Sequence, residues 1–288
     1  MRKANLLQSW TNTLPLVGVT AVWGWTFVVV QDAISAYGVL GFLALRFALA
    51  SLALAPLLWR MTRWTLLVGS GIGLVLAMGY LFQTLGLLYT TPTNSGLITG
   101  LFVVFAPLAA RAFFKVRVPW QIVAAVFLSL TGMVLLAGQS PSGVRIGDVL
   151  TVACAGALGL HIALLSRYAR EHDAGSLALA QMISMAVLFS VLWHLFEPVT
   201  MPPLEVILAI VLTGIVASAG AFYVQTTVQQ RIPAARAAII LITEPVFAAL
   251  FGYWLAGDRL SPVQLLGAAL ILSALFVGEV LPVLRRRK

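Results

Sequence analysis

Apolar residues run through this chain in blocks of about 20, each closed by a short cluster of Arg, Lys, Asp, Glu, Pro or Gly. A block of that length spans a bilayer core of about 30 Å as a helix. The blocks predict ten helices, at 13–31, 38–59, 66–89, 95–114, 120–138, 148–168, 175–196, 205–230, 236–256 and 263–284. The expected fold is an all-α membrane protein of ten transmembrane helices.

Composition agrees: 61% of the 288 residues are hydrophobic and 9% charged, where soluble proteins carry about a quarter charged. Such a surface is stable against lipid rather than water. Ten spans consume nearly the whole length, which excludes a large extramembrane domain or an attached ATPase. The net charge of +9 would suggest nucleic acid in a soluble protein, but the positions of the bases decide otherwise. With a cytoplasmic N-terminus, fifteen of the 18 Lys and Arg residues fall on the inner side, from Arg2 and Lys3 to Arg285, Arg286, Arg287 and Lys288. Arg145 and Arg259 fall outside, among Asp32, Asp148, Glu197, Glu205 and Asp258. This is the positive-inside pattern with both termini cytoplasmic. The charge is orientation, and no nucleic-acid partner is expected. The terminal basic run is read as an anchor against membrane lipids. Trp10, Trp59, Trp64, Trp120, Trp193 and Trp254 lie near predicted span ends, as interfacial rings do. The first span lacks a convincing cleavage site and is expected to be retained.

Self-similarity divides the chain. Trp23-Gly24-Trp25-Thr26 aligns with Leu158-Gly159-Leu160-His161 at an offset of 135, which also lays Arg46 on Gln181. An offset of 142 lays Gln83 on Gln225 and Asn94 on Arg236. Residues 1–142 and 143–288 are therefore expected to be two five-helix repeats. Five is odd, so the second crosses the membrane inverted, the plan of many secondary transporters.

Trp23-Gly24, Leu45-Arg46-Phe47 with Ala50, Gly86-Leu87-Leu88-Tyr89-Thr90, Asn94 to Leu101, and Glu244-Pro245-Val246-Phe247-Ala248-Ala249-Leu250 follow one another along the chain. In that order and spacing they resemble the EamA family of the drug/metabolite transporter superfamily. The resemblance implies a multi-pass carrier of the bacterial inner membrane with a central cavity, usually an exporter of amino acids, other metabolites or toxic compounds. Asp258 stands where such proteins often carry Glu. Pro107 lies about a turn beyond the point matching Pro245, so the two central helices are expected to break at different depths.

Only Arg46 and Glu244 place a formal charge deep within predicted spans, where burial is costly enough to mark function. Each lies about 12 Å from its end of the span, leaving a vertical gap of about 6 Å. Glu244 is expected to pair with Arg46, to engage a cationic group of the substrate, or to take up a proton. A fixed ion pair holding helices in register is the structural alternative. His161 is a candidate relay, although a histidine satisfied by a neighbouring helix is commoner. Pro107 and Pro245 are candidate kinks that free a carbonyl one turn earlier. The expected cavity residues are Trp23, Tyr80, Gln83, Asn94, Thr99, Phe102, Tyr223, Gln225 and Glu244; aromatic walls suit apolar or cationic organic solutes. Gly69/Gly73, Gly96/Gly100 and Gly214/Ser218 read as close helix contacts. The lone Cys154 excludes an internal disulfide, and His172 and His194 near opposite faces exclude a metal cluster with His161. No cofactor is expected. The function expected is alternating-access export of a small solute, with protons as a candidate coupling ion and a monomer or weak oligomer as the unit. The alternatives are an intramembrane enzyme, which lacks a recognisable motif here, and a lipid-handling or scaffold protein.

Overall fold

A computed structural model describes residues 2–90, 92–137, 146–255 and 261–279. Arg145, Asp258, Arg259 and the terminal basic run lie outside them. Every described element is helical, as a chain must be where no water satisfies peptide groups. In order these are α1 (Arg2–Tyr37), α2 (Val39–Leu54) continued by a 3-10 turn (Ala55–Arg60), α3 (Arg63–Leu87), α4 (Pro92–Thr99), α5 (Phe102–Phe114) and α6 (Trp120–Ala137). Then follow α7 (Ile146–Tyr168), a 3-10 turn (Ala169–Glu171), α8 (Ala174–Phe196), α9 (Leu204–Leu212), a π-helical segment (Thr213–Gly220), α10 (Ala221–Gln229), α11 (Ala234–Leu241), α12 (Glu244–Leu255) and α13 (Pro262–Glu279).

Among the described residues, eight stretches are long and apolar enough to cross a membrane, and Trp120–Leu135 and Pro262–Val277 are shorter apolar helices. The starts have local causes. Thr62 accepts the Thr65 N–H at 3.1 Å to cap α3, and Asp173 accepts the Ser176 N–H at 2.9 Å to cap α8. Pro203 and Pro233 immediately precede α9 and α11, where the missing N–H costs nothing. α1 runs to Tyr37, past the expected end at residue 31.

The central spans are broken at equivalent places. A shift of 142 carries α4 onto α11 and α6 onto α13, bound for bound, and carries Gly100 between α4 and α5 onto Ile242 between α11 and α12. The breaks therefore match along the chain, although Pro107 and Pro245 do not. Pro107 lies inside an uninterrupted α5, so it does not make the break; Pro245 is the second residue of α12. Gly100 and Leu101, with neither proline adjacent, interrupt the first span. Packing obeys the same exchange: α2 packs on α8 and α6 on α13, each its own counterpart, while α3 on α7 matches α10 on α1, and α5 on α7 matches α12 on α1.

Small residues set these contacts. A Cβ at Gly73 would lie 2.2 Å from Ser184 Oγ and 2.7 Å from the backbone of Gln181 on α8. A Cβ at Gly24 would lie 2.7 Å from Ala248 N, and one at its counterpart Gly159 would lie 2.9 Å from Ala106 N. Two large buried clusters result, one centred on α2, α3 and α8, the other on α5, α7, α11 and α13, with a small third of Ile72, Leu165, Ala169 and Leu177. Outward positions such as Leu67, Phe127 and Leu195 remain exposed, as a lipid-facing surface requires. Of the tryptophans expected at the interface, Trp59, Trp64, Trp120 and Trp254 are exposed, whereas Trp193 is buried against Gly41 and Tyr37; Trp10 is among the residues whose side chains are not described.

Candidate functional site

Where α1, α2, α3 and α5 meet α7, α10 and the break between α11 and α12, they leave a partly open cavity. Trp23, Arg46, Tyr80, Gln83, Phe102, His161, Gln225 and Glu244 all line it. Thr99 does not; it lies one layer back, accepting Gln83 Nε2 at 3.3 Å. Tyr223 is 43% exposed and is replaced at the wall by Phe222, because adjacent helical residues differ by about 100° in direction. The offset that carries Gln83 to Gln225 carries Tyr80 to Phe222, so the sequence held the right choice. The side chain of Asn94 lies outside the described residues.

Aromatic rings form one continuous wall. Phe222 meets Trp23 at 5.3 Å, Tyr80 at 6.1 Å and His161 at 5.9 Å between centroids. The Trp23 indole donates to Ala217 O at 2.8 Å, which fixes the ring and spends its only donor.

The charges stand apart. Arg46 is 4% exposed; its Nε donates to Ser218 Oγ at 2.8 Å, and its Nη2 reaches Tyr80 Oη only at 3.4 Å. The guanidinium lies 4.9 Å from the Tyr80 centroid and 5.4 Å from that of Phe47, within cation–π range. Glu244, 6% exposed, opens α12 at the cavity wall. The two do not pair: no carboxylate lies within 4.0 Å of Arg46 among the described residues, where ion pairs occur only at Arg60–Asp173 and Arg167–Glu171. Of the three roles expected for Glu244, and of the structural alternative of a fixed pair, direct pairing with Arg46 is not formed. Arg46 is turned towards the π-helical segment and Tyr80, and Glu244 is held by the start of a different helix whose backbone packs on Gly24.

His161 is satisfied by its neighbour. Gln181 commits Nε2 to Leu177 O at 3.2 Å, leaving Oε1 to accept His161 Nε2–H at 2.8 Å. Nδ1 is then left as an acceptor. Gln225 donates to Gln229 Oε1 at 2.8 Å, and its own Oε1 is buried with no partner among the described residues.

The cavity is lopsided despite the exchange symmetry. It extends along α1 to Val30 and along α3 to Thr84 and Leu87, whose counterparts Leu165, Thr226 and Gln229 are fully buried away from it. That end is tied by hydrogen bonds. Gln229 Nε2 donates to Ile162 O at 2.9 Å and Ser166 Oγ at 2.6 Å, and Gln230 Nε2 donates to Ala169 O at 3.1 Å and His172 O at 2.9 Å. Ser218 and Gln229, being neither charged nor aromatic, carry no mark in the sequence that sets them apart from packing residues.

The comparisons with known proteins agree with this architecture. Residues 13–138 and 145–278 each match the EamA-like transporter family. An "Uncharacterized transporter" of Archaeoglobus fulgidus is 36% identical over 268 residues, covering 92% of this chain and 84% of the relative. A second from that organism is 24% identical over 276 residues, covering 89% of this chain and 93% of the relative. The "Uncharacterized transporter YwfM" of Bacillus subtilis is 31% identical over 170 residues, covering 58% of this chain and 56% of its own. One crystal structure superposes with a TM-score of 0.77 at 22% identity, over 94% of this chain and 97% of the other, a likeness of fold. With a family match over both halves and a central cavity enclosed by apolar helices, the chain belongs to the EamA-like transporter family and is a multi-pass membrane transporter.

Proposed function

We propose that the protein is a secondary carrier that exports a small zwitterionic solute, an amino acid or a related metabolite, across the plasma membrane by alternating access. The observation that carries this reading is the cavity with an unpaired guanidinium and an unpaired carboxylate, Arg46 and Glu244, on an aromatic wall. Buried charges are expensive unless matched, and a zwitterion matches both: its carboxylate meets Arg46, and its ammonium group meets Glu244. The rings of Trp23, Tyr80, Phe102 and Phe222 favour an apolar or aromatic side chain.

Residues 1–142 and 143–288 act as two inverted five-helix repeats, ten spans in all, with both termini cytoplasmic. The exchange-symmetric packing of equivalent helices supports this. In that orientation the long end of the cavity is external and the Gln229–Gln230 end internal. Export is the direction the family resemblance implies, and Glu244 binds the solute's ammonium group and a proton in alternation, so that one is exchanged for the other.

Counterflow in proteoliposomes with radiolabelled amino acids, their decarboxylated amines and organic cations tests the reading. Saturable exchange of a zwitterion supports it. Transport of amines or cations with indifference to zwitterions overturns the substrate class, and chemical turnover of a lipid or peptide overturns the carrier.

A further inference from the structure

The helix opposite Arg46 has one residue more than its counterpart. α3 has 25 residues, whereas Leu204 to Gln229 comprises 9, 8 and 9 in α9, the π-helical segment and α10. The register accordingly differs by 141 at the starts of the two helices and by 142 at their ends. The additional residue is absorbed in Thr213–Gly220, where the Ala221 N–H reaches back five residues to Val216 O. One residue turns the following side chains by about 100°, and π-helical turns recur at functional sites.

We infer that Ser218, carried by this segment, is the positioning residue that holds Arg46 at the cavity wall and thereby sets a preference for carboxylate-bearing solutes; the inference rests on the reading of Arg46 in the proposed function. Three contacts join the segment to the site. Ser218 Oγ accepts Arg46 Nε at 2.8 Å, Ala217 O accepts Trp23 Nε1 at 2.8 Å, and Gly214 lies so near α2 that a Cβ there would be 2.9 Å from Arg46 O. Ser218 is fully buried, and its counterpart Leu76 has no hydroxyl.

The geometry fixes how a carboxylate is met. A guanidinium binds a carboxylate bidentately, either through Nε with one Nη or through both Nη atoms. Ser218 occupies Nε with a hydrogen bond of 2.8 Å, while Nη2 makes only the longer 3.4 Å contact with Tyr80 Oη that an entering carboxylate can displace, so the two Nη atoms are the pair left for the ligand. Without the hydroxyl, Nε competes for the same ligand and the side chain regains its rotamers.

The test uses the full chain in proteoliposomes, with L-phenylalanine and phenethylamine, the same ring with and without the carboxylate, as probes. Ser218→Ala is expected to weaken L-phenylalanine binding about tenfold, the worth of one hydrogen bond to a charged group, with phenethylamine binding and maximal flux unchanged. An unchanged ratio of the two affinities, or equal weakening of both, overturns the inference. Arg46→Gln separates the levels. If it erases the preference while Ser218→Ala does not, the positioning role alone fails. If it leaves the preference intact, or if wild-type protein binds neither probe, the proposed function fails with it.

Discussion

At the scale of residues, the site turns on what each buried polar group lacks. Glu244 has no hydrogen-bond or ion-pair partner among the described residues and borders the cavity. A carboxyl in that position takes its proton or counter-charge from what enters. Glu244→Gln keeps the shape but loses the charge. Downhill flux is expected to persist, whereas uptake driven by an imposed pH gradient is lost; gradient-driven accumulation in the variant would count against proton exchange at this residue. The aromatic wall gives a paired prediction. Phe222→Ala opens a gap between Trp23, Tyr80 and His161 and weakens solute binding. Tyr223→Ala, on the exposed face, changes affinity by no more than about twofold, the usual effect of a surface substitution. Equal effects in a binding titration would mean that the wrong face of α10 was assigned to the cavity. Arg46 and Glu244 were legible from sequence as the two charges within the spans. Their separation was not, because side-chain direction depends on which neighbour offers an acceptor.

At the scale of elements, caps and close contacts decide where helices sit. The Asp173 carboxyl lies below its ordinary range: burial pushes it up, but the Ser176 N–H and hydroxyl, together with Arg60, outweigh that. A depressed carboxylate stabilises the folded state above its unfolded value of about 3.9, and that contribution is lost as pH falls through the folded value. Asp173→Ala is therefore expected to cost about 1 kcal/mol of stability at neutral pH. The deficit, read by thermal unfolding in detergent, shrinks as pH drops below 4. Gly73→Ala introduces a Cβ against the Gln181 backbone and costs about 1–3 kcal/mol by overpacking. Thermal unfolding reads this too, and an unaffected transition would show that α3 and α8 separate freely. Helix positions were largely readable, since long apolar runs have only one solution in lipid. The break at Gly100 and the π-helical segment were not, because neither is marked by proline or charge.

At the scale of the whole molecule, two halves with the same packing pattern enclose a cavity that reaches unequally towards their ends. The difference is chemical: Gln229 and Gln230 tie α10 to α7, while their counterparts are Leu87 and Leu88. Replacing both glutamines with leucine is expected to open the tied end. The measurement is the labelling rate of a cysteine introduced at Ser166, with the native Cys154 first replaced by alanine. Labelling that stays as slow as in the glutamine-bearing protein would place the closure elsewhere. The sequence by itself determined the helical class, the positions of most apolar helices and the two charges within them, because hydropathy and charge are properties of position along the chain. Only the tertiary structure decided that Arg46 faces Ser218 rather than Glu244, that Phe222 rather than Tyr223 meets the cavity, and that one end is tied. Those outcomes depend on helix azimuth, which a single inserted residue resets by about 100°, and on hydrogen-bond partners brought from distant segments.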